Sequence, residues 1–181
     1  SRRVLSYFLS GLSFREYLIL SQGMQLPSYS LQDILNHKVE LPGVDHPLPL
    51  FKEYLENGYY PFFNDPGYDQ RLRNVVNLTI ENDIPVYANM NIATTKKIRQ
   101  LLYVVSQSVP FKPNFTKIGQ TIDVHRNLVT DFLYYLERAG IIAQLRNNTG
   151  GIRLLGKIEK IYLDNTNLIY ALAENRPDIG N

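Results

Sequence analysis

The sequence predicts a mainly α protein: a small helical bundle followed by a winged helix-turn-helix, α+β in detail. Three observations predict this. Apolar side chains recur at helical spacing in one segment after another. Ser, Asn and Asp stand before those segments as caps, with Gly or Pro after them. Two strand-like runs, residues 141–145 and 158–163, flank the turn-rich Asn147-Asn148-Thr149-Gly150-Gly151 and make a hairpin after three helices.

Taken in order, residues 4–9 are rich in β-formers and predict a short strand. Ser13-Phe14-Arg15-Glu16 is a capping box that opens a helix through about Ser21, with Gly23 ending it. Ser30 and Asp33 repeat that logic before Ile34 and Leu35. Pro42, Gly43, Pro47 and Pro49 predict a loop over 40–49, and 50–57 a helix closed by Gly58. The aromatic run Tyr59-Tyr60-Pro61-Phe62-Phe63 reads as a plug between helices, with an exposed binding surface as the alternative. Residues 70–83 form a helix with Leu72, Val75, Val76, Thr79 and Ile80 inward; Pro85 should end it, and 86–93 should be a link.

The winged helix follows. Ile98, Leu101, Leu102 and Val105 give helix 94–109 its apolar face, and Pro110 and Pro113 stop it. Asn114 caps a helix over 115–122, and Asp123 caps a third over 124–139. Val124, Leu128, Phe132, Leu133 and Leu136 should be the inner face of that third helix, with Gly140 just past its end. Asn165 or Thr166 caps a last helix through Glu174. The domains expected are therefore a bundle over 1–93, a winged helix over 94–163, and a further segment over 164–181.

Charge is distributed unevenly. Residues 1–93 hold seven Lys/Arg against ten Asp/Glu, whereas 94–161 hold eleven against four, a net of +7. Such a concentration in the winged-helix segment suits a polyanionic partner. The chain has no cysteine, which excludes a disulfide framework and fits a cytoplasmic location. No apolar run approaches the roughly 18 residues of a membrane span. Arg15-Glu16 interrupts the apolar N-terminal stretch, so it does not read as a signal peptide.

Several stretches also occur together in a recognisable order. These are Arg3-Val4, then Gly11-Leu12-Ser13-Phe14-Arg15-Glu16-Tyr17-Leu18, then Tyr54-Leu55 to Gly58-Tyr59-Tyr60-Pro61, then Asp83-Ile84-Pro85, and last Lys160-Ile161-Tyr162-Leu163-Asp164-Asn165-Thr166-Asn167-Leu168. Together they resemble the bacterial AAA-superfamily ATPases that carry a C-terminal domain of unknown function. The resemblance implies an internal fragment. A nucleotide-binding half would precede Ser1 and a nuclease-like C-terminal domain would follow Asn181. ATP and Mg are then cofactors of the parent protein, with none held by this chain, and the parent's other domains are partners. Arg3 would match an arginine before the last strand of the ATPase core and so be nucleotide-sensing; residues 4–9 would be that strand and 13–93 the lid.

The chemistry-bearing motifs are few. Gly151-Ile152-Arg153-Leu154-Leu155-Gly156-Lys157 has the spacing of a phosphate loop, but Ile158 stands where a magnesium-binding hydroxyl is required, and a strand rather than a helix follows. It reads as a wing loop. His37, His46 and His125 lack the spacing of metal ligands. No catalytic constellation emerges.

The third helix carries the functional expectation. His125, Arg126, Asn127 and Thr130 lie outward near its N-terminus, where recognition helices meet base edges and phosphates. Arg146, Arg153 and Lys157 in the hairpin, with Lys112 and Lys117 near the second helix, would add phosphate contacts. Asp131 and Glu137 oppose this. Two readings stay open: a non-catalytic DNA-binding module of an ATPase, and a structural relay or protein-contact module coupling the ATPase to its C-terminal domain. In either case the purified chain should release phosphate from Mg-ATP at the background rate; turnover abolished by Lys157→Ala would instead establish 151–157 as a working phosphate loop.

Overall fold

The computed structural model describes residues 5, 7, 9–40, 42–107, 111–146 and 158–173. The fold is mainly helical, with a small antiparallel sheet. The predicted strand over 4–9 lies partly outside the described residues; Leu5, Tyr7 and Leu9 are exposed and carry no regular structure. The turn 147–151 and the end of the last predicted helix also lie outside. The chain divides into two compact units, Ser1–Tyr68 and Asp69–Asn181.

In the first unit, α1 spans Phe14–Gln22 and α2 Leu31–Leu35. Both carry the predicted capping boxes. Ser13 N–H donates to Glu16 Oε2 at 2.7 Å and Ser30 N–H to Asp33 Oδ2 at 3.0 Å. The backbone bond and then the Ser13 hydroxyl hold the Glu16 carboxyl below its usual range, and the Ser30 hydroxyl and then the backbone bond do the same for Asp33. Helix α3, Pro47–Asn57, begins inside the expected loop. Its prolines occupy the first turn, where a helix needs no N–H, so they start it rather than exclude it.

The core of this unit is aromatic. Phe14, Tyr17, Phe51, Tyr54 and Phe63 pack with ring centroids 5.0 to 6.1 Å apart. Gly58 is required by space, not by φ. A Cβ there would stand 2.4 Å from Tyr54 Cδ2 and 2.8 Å from Tyr17 Cδ2. Phe62 and Phe63 of the run 59–63 turn onto Tyr68 and Tyr17, so part of that run packs as a plug.

Helix α4, Tyr68–Leu78, whose first residue is the last of the first unit, continues through a π-helical turn, Thr79–Asp83, into α5, Ile84–Ala88. Pro85 therefore does not end the helix as expected. The Ile84 N–H reaches back five residues to the Thr79 carbonyl, and this wider turn lets the helix pass a residue that has no N–H and crowds the preceding turn. The helix stops at Asn89, φ 51°. Leu72, Val76, Ile80 and Ile84 are buried, while Val75, expected inward, is 47% exposed.

Helix α6, Ile92–Ser106, starts two residues before its predicted start, because Asn91 accepts from Thr94 N–H at 2.9 Å. The expected link 86–93 is thus mostly helix end and cap. Helix α7, Phe115–Ile122, has the predicted Asn114 cap. Helix α8 is Arg126–Arg138, capped by His125 rather than Asp123. Its inner face is Val129, Phe132, Leu133 and Leu136. Val124 and Leu128, expected in that face, are only half-buried. On a 3.6-residue repeat Val129 falls within the arc marked by Phe132, Leu133 and Leu136, and Leu128 falls at its rim.

Strands β1, Ile142–Arg146, and β2, Ile158–Leu163, pair antiparallel with Ile142 opposite Leu163. Phe111 adds a one-residue third strand, exchanging both backbone hydrogen bonds with Ile161 at 2.8 and 3.0 Å. Helix α9, Thr166–Leu172, is capped by Asn165 and packs on β2 and α6. Three helices followed by a hairpin that a residue between the first two helices joins are the winged helix-turn-helix topology.

Two outcomes test this packing. Phe132→Ala should cost about 3–5 kcal/mol in denaturant unfolding and Leu128→Ala less than half as much; equal losses would contradict the observed helix phase. Burial, and then the Glu53 carboxylate, push the Tyr17 phenol up to about 12. An unfolded tyrosine titrates near 10, so this contribution to stability is whole below pH 10 and is lost as pH rises to 12. Tyr17→Phe should therefore show the smaller fall in melting temperature between pH 9 and 11.5, and a parallel fall in both proteins would refute the assignment.

Candidate nucleic-acid interface

The turn between α7 and α8 places the candidate residues. Asp123 takes φ 54° and closes α7, and the Val124 N–H donates to the Gly119 carbonyl at 2.8 Å. The chain comes so close that a Cβ on Gly119 would lie 2.6 Å from the Val124 carbonyl oxygen. The obstruction is backbone, so it cannot move aside cheaply, and only glycine fits. Glycine inside a helix otherwise weakens it by about 1 kcal/mol, which accounts for its presence here as a packing requirement.

From this turn α8 presents Arg126, Asn127, Thr130 and Asp131 to solvent. His125 Nδ1 accepts from the Asn127 N–H at 3.4 Å, so the imidazole serves as the helix cap and is exposed beside the site. The Thr130 hydroxyl donates to the Arg126 carbonyl at 3.4 Å. Two adjoining clefts share Arg126 and Thr116. One, of about 560 Å³, is also lined by Gln120 and His125; the other, of about 480 Å³, by Lys112 and Asn114.

Much of the positive charge is neutralised locally. Arg99 pairs with Glu81, Lys97 lies 3.7 Å from Asp123, and Arg146 lies 2.6 Å from Glu137 and 3.3 Å from Gln144. Arg146, expected at the interface, is thus held by α8 on the strand side. By contrast Arg126, Lys112 and Lys117 have no carboxylate partner among the described residues. The structure therefore gathers His125, Arg126, Asn127 and Thr130 with Lys112. Arg3, Arg153 and Lys157 lie outside the described residues.

Thr116 and Gln120 belong to this face and were not singled out from the sequence. The Asn114 cap carried the signal, since it sets the phase of α7 and puts both, four residues apart, on one side.

At the other end of α8 the Tyr135 ring meets Tyr87 of α5 at 6.2 Å and Tyr134 at 5.4 Å. The Arg138 guanidinium lies about 6 Å from the Tyr87 and Tyr134 rings. Among the described residues no group of three His, Asp or Glu side chains is placed to hold a metal, and no helix is long and apolar enough to cross a membrane.

No curated protein sequence and no solved structure matches the chain significantly. A family model described as a domain of unknown function, DUF8612, matches residues 48–178. That span takes in nearly all of α3 and every element after it. The chain belongs to the DUF8612 family.

Proposed function

We propose that this chain is a non-catalytic part of a cytoplasmic AAA-superfamily ATP-binding protein and that its winged helix binds duplex DNA. The observation that carries the DNA reading is Arg126 at the exposed start of α8, sharing a cleft with Lys112, neither with a carboxylate partner among the described residues. A guanidinium there can reach a base edge, Asn127 is the side chain suited to adenine, and Lys112 and Lys117 flank them for phosphates. Support for the parent ATPase is the sequence resemblance; ATP and Mg would act there, and the parent's other domains would be the chain's intramolecular partners.

A second reading, a relay between the ATPase and its C-terminal domain, is favoured by one contact. Tyr87 of α5 rests on Tyr135 and Arg138, so a movement of the helical segment 68–88 would press directly on α8.

Salt and mutation separate the two. With Lys112, Lys117 and Arg126 as the contacting cations, wild-type chain titrated with short duplexes should show log K falling with log salt at a slope of about −2 to −3. Arg126→Ala should cost roughly 1–3 kcal/mol and relax sequence preference. Lys112→Ala should weaken all sequences alike and lower the slope by about one. The relay reading requires weak DNA binding that is indifferent to Arg126.

A further inference from the structure

The C-terminal half of α8 carries a second constellation that the duplex contacts leave unused. Tyr87 is 68% exposed and Tyr134 46%, though both rings pack against Tyr135. Between them lies the Arg138 guanidinium, 6.0 Å from the Tyr87 centroid and 5.9 Å from that of Tyr134. Arg138 has no carboxylate partner among the described residues. Beside this cluster runs a groove of about 410 Å³ whose lining includes Tyr87, Tyr135, Arg138, Thr79 and Asp83.

Exposed tyrosine rings beside an unpaired guanidinium favour a planar, electron-rich ring that carries negative charge nearby. Asp83 repels a phosphate from the groove itself but can accept from an exocyclic amine, so the lining suits the edge of a base. A base stacked inside a duplex cannot offer its face to tyrosine; an unpaired base can. Arg138 follows Arg126 by twelve positions on the same helix, about 18 Å, which is about five steps of duplex rise. The cluster is therefore within reach of a strand that leaves the duplex near Arg126.

We propose that Tyr87, Tyr134 and Arg138, with the groove beside them, capture an unpaired base of a single-stranded tail adjoining the bound duplex. This rests on the DNA-binding reading above. It makes the preferred ligand a junction of double and single strand rather than a continuous duplex.

Fluorescence anisotropy on the full chain tests it, with a blunt duplex of about 16 base pairs, the same duplex with a tail of about six nucleotides, and one with an abasic tail of equal length. The base-bearing tail should tighten wild-type binding about 5- to 100-fold and the abasic tail should not. Tyr87→Ala and Tyr134→Ala should each remove most of that gain with blunt-duplex affinity unchanged, which also reports intact folding; Tyr87→Phe should keep it. Equal binding of blunt and tailed duplex by wild type, with blunt binding still weakened by Arg126→Ala, overturns the capture of a base and leaves the DNA-binding reading standing. A gain that survives both alanine changes, or that the abasic tail reproduces, overturns it too. Absence of all DNA binding removes both readings together.

Discussion

The approach of the Val124 carbonyl to Gly119 governs the second unit. One backbone contact, with the 2.8 Å bond from Val124 N–H to Gly119 O, sets where α7 stops and where α8 begins. From that start, Arg126 and Asn127 stand exposed in the first turn of α8, while Val129, Phe132, Leu133 and Leu136 form its buried arc. The interface is thus a consequence of steric exclusion in a turn.

The first unit uses the same device for a different purpose. Gly58 and Gly11 each lie where a Cβ would collide with a tyrosine ring, Tyr54 and Tyr59 respectively. The glycines let large rings lie flat against backbone, and the Tyr54 hydroxyl then donates to the Leu12 carbonyl at 2.8 Å. An aromatic core gains edge-to-face contacts but leaves hydroxyls to satisfy, and this bond to a backbone carbonyl is one way the unit does so.

Net charge alone would overstate the basic surface. Glu81, Asp123 and Glu137 each pair with a nearby cation, and such exposed pairs, worth little in stability, still remove charge from the surface offered to a polyanion. Among the described residues, Lys112 and Arg126 line one cleft at the start of α8, and Arg138 lies among tyrosines at its other end. The two ends of α8 therefore have different chemistry: point charges and amides at the first, aromatic faces at the second.

Local signals were legible in the sequence because they act within a few residues. The Ser13-Glu16 and Ser30-Asp33 boxes, the Asn114 cap and the apolar periods of α6 and α7 need only their own segment, so helix type and order followed from them. Outcomes that depend on distant partners did not. Pro85 reads as a terminator until a π turn makes room for it, and Asp123 reads as a cap until the close turn gives that role to His125. Phe111 pairs with Ile161, fifty residues away, and nothing local announces it. Which cations are neutralised is likewise a tertiary outcome, since Arg99 meets Glu81 and Arg146 meets Glu137 across separate elements. The sequence by itself determined the helices, the hairpin and the concentration of positive charge. Only the tertiary structure decided where α8 begins, which positive charges have no carboxylate partner among the described residues, and the meeting of Tyr87 with Arg138, because each depends on groups brought together by packing rather than by spacing along the chain.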